Sequence, residues 1–300
     1  MRSGALVVVL AVFLIGSLAC GGGPKEPAPA AAKPAAEAEG PTTGTVAAAD
    51  GVRIAFEERG SGTPAIVFVH GWSCDRSFWK DQVEDLAKDH RVVALDLPGH
   101  GDSGSQRAGW TVEAFGDDVR RVVESLGLEA VVLVGHSMGG PVVLEAAAAV
   151  PERVVMVVGV DTLHDIGEKM DPKRWEDLLA RFEADFPGMC ASFVEGMFPG
   201  GADPAVVRSV RERMCDANPE IARAVLRSMR EYDVPEAAAR VSARVACIQG
   251  SIWPTNVEGN RRCRRGSATR PPFSPAICSS PASSPVFSTP ATVVSCRSSR

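Results

Sequence analysis

Three hundred residues with 32 basic and 37 acidic side chains, a net charge of -5 and 45% hydrophobic residues suit one mid-sized domain with appendages. That balance offers no basic face, so nucleic acid is excluded as a partner. Of eight cysteines none forms a CxxC, and no Cys/His set has zinc spacing, so neither a metal nor another cofactor is implied.

The chain opens with Arg2, an apolar run from Ala5 to Ile15, and Gly16-Ser17-Leu18-Ala19-Cys20. Residues 1–20 therefore read as a secretory signal with a small-residue cleavage region, too short to span a membrane. The Ser-Leu-Ala-Cys ending resembles the lipobox of bacterial lipoproteins. It implies lipidation at Cys20 and an exported, membrane-anchored protein of the cell envelope; the alternative is a periplasmic or secreted protein with a chance Cys. Residues 21–43 are Pro, Ala, Glu and Lys with little to pack, and read as a disordered tether.

Residues 44–263 read as the folded domain. Val46 to Glu58 carries Asp50-Gly51 beside alternating Val52, Ile54 and Phe56, which predicts a hairpin. Ala65 to Val69 is an apolar strand ending at His70-Gly71-Trp72, and Arg91 to Asp96 is another, leading into the glycine-rich loop LPGHGDSG. Helical spacing runs from Trp110 to Leu126, with Val112, Phe115, Val119, Val122 and Val123 along one face.

The stretch AVVLVGHSMGG, from Ala130 to Gly140, is the most telling. A strand ends at Gly135, a helix begins at Gly139, and Ser137 falls on the turn between them. A serine hydroxyl projects usefully from such a bend only if small residues stand two before and two after it, and both are glycine here. Small residues then run to Val150, Val154 to Val160 forms a strand ending in Asp161, and Arg244 to Ile248 forms another before Gly250. Apolar strands alternating with helices predict a mostly parallel α/β sheet covered on both faces, with chemistry beyond the strands' carboxyl ends.

Residues 167–240 interrupt that alternation with three helically spaced sets: Trp175, Leu178, Leu179, Phe182 and Phe186; Val206, Val207, Val210 and Met214; Ile221, Val225 and Met229. They read as a helical cap whose apolar walls suit a small-molecule acyl or ring-bearing substrate, although most of these side chains are expected simply to pack the cap. Export permits disulfides, and Cys190 with Cys215 is the pair singled out. Residues 264–300 contain no Asp, Glu, Lys or His and are rich in Ser, Pro and Arg. They read as a disordered tail or as the product of a reading-frame slip, with the final strand and helix missing and a sheet edge left unpaired.

HGW after one strand, DLPGHGDSG after the next and GHSMGG at the bend together resemble the α/β-hydrolase superfamily, in its capped esterase, lipase and C–C hydrolase branch. The resemblance covers about Thr45 to Cys263. It implies that Ser137 is the nucleophile of an acyl-enzyme and that the backbone N–H groups of Trp72 and Met138 form the oxyanion hole. His70 then shapes the oxyanion loop, and His100 and His136 fill out motifs.

For the acid, SIWPTN after Gly250 offers no carboxylate before Glu258, so the role falls on Asp161, with Asp165 or an Asp lost near Ser251 as alternatives. Relatives carry the base after the last strand, yet no histidine follows His164 here. His164 itself would have to double back toward Ser137 to serve. The implied reading is a serine hydrolase of esterase type, crippled by its missing base, with a C–C hydrolase, a perhydrolase or a non-catalytic hydrolase-like binding protein as alternatives.

Overall fold

The computed structural model describes residues 40–164, 166–167, 170–198, 202–249 and 292–296. Eight strands form one sheet in the order β1-β2-β4-β3-β5-β6-β7-β8. β1 (Thr42–Ala47) and β2 (Arg53–Arg59) make the expected hairpin, and β2 runs antiparallel to β4 (Val92–Leu95). From β4 the sheet is parallel through β3 (Ala65–Val69), β5 (Val131–His136), β6 (Val154–Val160) and β7 (Arg244–Gln249). The central strands are apolar along nearly their whole length because helices cover both faces.

One face receives α2 (Val112–Ser125) and α3 (Gly139–Ala149). Phe115, Val119, Val122 and Val123 of α2 are fully buried with Val142, Val143 and Leu144 of α3 against Val67, Leu95 and Leu133. The other face packs Ile66, Phe68, Val132 and Val134 against Trp79 and Val83. Val83 lies on α1 (Lys80–Leu86), which comes after a 3-10 turn at Arg76–Trp79; neither element stood out in the sequence.

The segment between β6 and β7 folds as α4 (Pro172–Ala184), α5 (Phe186–Met197), α6 (Pro204–Cys215), α7 (Pro219–Glu231) and α8 (Val234–Arg240). Each helix starts with a proline in its first turn behind an Asp or Asn side chain that accepts a backbone N–H, so all five helix starts are written locally. Cys190 of α5 and Cys215 of α6 are joined as a disulfide, with Cα atoms 5.7 Å apart.

Two boundaries need correction. β1 begins at Thr42, inside the stretch read as tether, because TTGTVA pairs along its length with β2. The edge of β7 is not bare either: β8 (Thr292–Cys296), from the Ser/Pro/Arg-rich tail, pairs with it antiparallel. Threonine and two valines in succession give that short piece β-propensity that the surrounding prolines obscure. Cys20, Asp165, Gly250, Ser251, Glu258 and Cys263 lie outside the described residues.

Candidate active site

Ser137 stands where β5 meets α3, with φ of 50°, a left-handed conformation that costs a side-chain-bearing residue about 1–3 kcal/mol. The bend is locked from both sides. Ser137 N–H donates to the Val160 carbonyl at 3.0 Å, and Gly140 N–H donates back to the Ser137 carbonyl at 2.9 Å. The flanking glycines are demanded by contact: a Cβ on Gly135 would strike the Gly139 carbonyl, and one on Gly139 would lie 2.6 Å from the Val69 carbonyl and 2.8 Å from that of His70. The helix thus starts hard against the end of β3.

That close approach brings the His70–Cys74 loop beside the bend. A Cβ on Gly71 would sit 2.8 Å from His136 Nδ1 and 3.3 Å from the His136 carbonyl. Met138 is fully buried and precedes the first residue of α3, where backbone N–H groups have no intrahelical acceptor. Among the described residues the Trp72 N–H likewise meets no backbone acceptor. Both expected oxyanion donors therefore belong to loops that touch at the bend. The Trp72 side chain points to the cap: its Nε1 donates to the Ala222 carbonyl at 2.9 Å, and its ring meets Phe182, Phe186 and Phe193 edge-on at 5.2, 6.3 and 5.7 Å.

The loop continues through Ser73, which also adopts a left-handed φ of 54° and is only 4% exposed. Its Oγ is buried and, among the described residues, has no hydrogen-bond partner. Nothing in the sequence marked this residue; the one signal was a serine directly behind the HGW motif. Farther along, Arg213 of α6 lies over the Phe78 ring at 3.7 Å and donates to Asp75 at 3.0 Å and to the Ser77 hydroxyl, tying the cap to the end of the same loop.

The histidines divide clearly. Leu97 N–H donates to His70 Nε2 at 3.0 Å, which puts the proton on Nδ1, 2.8 Å from the Gly71 carbonyl. Both nitrogens are engaged and burial pulls the pKa down to about 4, so His70 is a loop-shaping neutral imidazole. His100 holds the Pro98 carbonyl at 3.1 Å and burial lowers its pKa to about 3. His136 packs edge-on to Trp79 at 6.3 Å; burial lowers its pKa, against the opposing charge of Asp161. His164 has a buried Nδ1 that meets no partner among the described residues. The buried Cys74 and Cys247 thiols are pushed up to about 12 and about 11, which leaves them protonated rather than nucleophilic.

Asp161 continues β6 one residue past Val160, itself level with His136, so it is the strand-end neighbour of Ser137. Its φ is 49°, its N–H donates to the Ile248 carbonyl at 2.8 Å, and the residue is exposed. Asp96, in the LPGHGDSG loop, plays a structural part: burial raises its pKa while its oxygens accept from Arg76 N–H at 2.7 Å, Asp102 N–H at 2.8 Å and the Arg76 guanidinium. Two open clefts, of about 440 and about 450 Å³, are walled by charged residues around Asp50 and Arg53 and around Arg76 and Asp102, and neither includes Ser137.

This geometry matches known proteins. The alpha/beta hydrolase fold family matches residues 64–202. A thermophilic esterase from Thermogutta terrifontis superposes with a TM-score of 0.62 at 28% identity, over 75% of this chain and 86% of that one. The chain has the α/β-hydrolase fold. Among curated relatives, the dihydrolipoyllysine-residue acetyltransferase component of the acetoin cleaving system of Cupriavidus necator is 41% identical over 108 residues, covering 36% of this chain and 29% of that protein. A putative non-heme haloperoxidase of Mycobacterium phage D29 is 38% identical over 118 residues, covering 39% and 42%. The chain thus spans less than half the length of each of these two curated relatives.

Proposed function

We propose that the protein is a serine hydrolase acting on a carboxylic ester or similar small acyl substrate through an acyl-enzyme on Ser137. The observation that carries this reading is the left-handed Ser137 between β5 and α3, with Gly139 pressed on the Val69 and His70 carbonyls. The Trp72 and Met138 N–H groups are the donors to the acyl oxygen, and Asp161 is the acid of the site. The likeness to the Thermogutta esterase, at 28% identity, supports acyl chemistry over a purely structural use of the fold.

In this reading the enzyme is slow, because the base is missing. Four of the five histidines are spoken for: His70 and His100 by burial, His136 by its packing on Trp79 and lowered pKa, and His90 by its place before β4, away from the strands' carboxyl ends. Losing a triad member costs about four orders of magnitude. A hydrolase-like binding protein without turnover is the second reading, favoured by that same inventory of histidines. The phage haloperoxidase likeness keeps a perhydrolase, like a C–C hydrolase, as a variant on the same serine. Export with a lipid anchor on Cys20 is part of the proposal and rests on the sequence and on the Cys190–Cys215 disulfide, which suits an oxidising compartment.

The test is covalent. Incubated with a fluorophosphonate and excess imidazole to supply the base, the protein should gain one adduct on Ser137, and Ser137→Ala should gain none. A well-folded sample that stays unlabelled under these conditions points to the binding protein instead. Radiolabelled palmitate incorporation in a bacterial host, lost in Cys20→Ser, checks the anchor.

A further inference from the structure

We propose that the Ser73 hydroxyl is a third donor to the acyl oxygen, beside the Trp72 and Met138 N–H groups; this deepens the acyl-transfer reading and rests on it. Ser73 lies one residue past Trp72, in a turn closed by the Cys74 N–H on the Gly71 carbonyl at 3.2 Å. At the third position of such a turn, φ of 54° is the conformation glycine adopts without cost, so serine here carries strain that a smaller residue would remove. Serines in turns normally return their hydroxyl to a nearby backbone group. This one does not: its Oγ is shut away from water and meets no acceptor among the described residues.

A desolvated donor without a partner is unfavourable in the resting protein and becomes favourable when negative charge develops within its reach. Its loop is rigid enough for that. Gly71 abuts His136, the Trp72 ring is fixed to Ala222 and three cap phenylalanines, and Asp75 is held by Arg213. Neighbours on either side of Ser73 are thus pinned, and Gly71, two residues before it, is where the loop touches the bend that carries the nucleophile.

In the step concerned, Ser137 Oγ forms a bond to the acyl carbon while its proton passes to a solvent base. The carbonyl electron pair moves onto the acyl oxygen, where the three donors meet it. Collapse restores the C=O bond and expels the alkoxide, which takes a proton from solvent. Ser73 keeps its own proton throughout. Because the acyl oxygen is more negative in the tetrahedral state than in the ester, the bond from Ser73 affects the chemical step more than binding.

The experiment uses the full chain in the presence of imidazole, with fluorophosphonate labelling of Ser137 followed over concentration and time for wild type, Ser73→Gly and Ser73→Thr. Ser73→Gly keeps the backbone conformation and relieves its strain, so it should melt no lower than wild type while labelling at least tenfold more slowly at saturation, with the half-saturating probe concentration little changed. Ser73→Thr, which restores a hydroxyl, should recover part of the rate. Labelling of Ser73→Gly at the wild-type rate, or a loss that tracks a fallen melting temperature, overturns the third donor while leaving Ser137 as nucleophile. No labelling of Ser137 in wild type overturns both readings together.

Discussion

The ends of β5 and β6 lie side by side and turn through the same bend, φ 50° at Ser137 and 49° at Asp161, yet they lead to different structures. After Ser137, the single residue Met138 carries the chain straight into α3, and the first turn of a helix begins at the bend. After Asp161 the chain folds back. Leu163, itself at φ 60°, is buried over Gly159, its carbonyl accepts from the Cys247 thiol at 3.1 Å, and Thr162 lies against Gly140. One bend therefore presents a hydroxyl beside unpaired donors, and the other presents a carboxylate beside a closed loop. The element into which each strained residue leads, more than the strain itself, decides which chemistry its side chain can do.

The largest expected effect comes from removing the hydroxyl while keeping the bend. Ser137→Gly should lose all covalent labelling, yet gain about 1 kcal/mol in stability, since glycine pays no penalty at this φ. Urea unfolding beside the labelling assay reads both numbers. A variant that loses stability instead would mean that the Ser137 side chain supports the fold, and the contrast between the two strand ends would then be one of packing.

Acid offers a second way to probe the Ser137 side. His70 is neutral in the fold, with its pKa pulled from 6.5 to about 4, so the unfolded chain binds the extra proton first as pH falls. Its contribution is whole above pH 6.5, is lost progressively from there down to about pH 4, and amounts to something on the order of 3 kcal/mol. The difference in unfolding free energy between wild type and His70→Asn should therefore shrink over that window. A difference that stays constant would show that the folded chain protonates His70 as readily as the unfolded one, so that burial does not hold it neutral.

Much of this was legible beforehand, and the reason is local. Ser137, Gly135 and Gly139 occupy one turn whose steric needs are met by its own residues, and the apolar strands and the hairpin at Asp50-Gly51 declare themselves by pattern. The cap's helix starts were present in the sequence as repeated Asp-Pro and Asn-Pro pairs, but where its helices rest on the core depends on contacts such as Arg213 with Phe78 that no spacing reveals. The strand at Thr292–Cys296 was hidden because pairing with β7 supplies what its flanks deny. The burial of Ser73 was out of reach for the same reason, since it depends on how the chain closes around the loop.

Packing at the start of α3 gives a third, smaller effect. Gly139→Val would drive a side chain into the Val69 and His70 carbonyls and should cost about 2–3 kcal/mol, roughly 4–12 °C in melting temperature at this size. Labelling should fall with it even at temperatures where the variant is folded, because the Met138 N–H moves with the helix. Retention of full labelling by the folded variant would detach the helix start from the chemistry.

The smallest effect belongs to Asp161. In a triad, an acid acts by orienting an imidazole and stabilising its charged form, so its worth depends on the imidazole being there. With the pKa values of His70, His100 and His136 all lowered, Asp161→Asn should change the labelling rate of Ser137 by less than about threefold without added imidazole. The stability change should also be small, since asparagine tolerates a left-handed φ as well as aspartate does. A fall of a hundredfold or more would mean that Asp161 already serves a base within this chain, and His164, three residues on, whose buried Nδ1 has no partner among the described residues, would be the group to replace next.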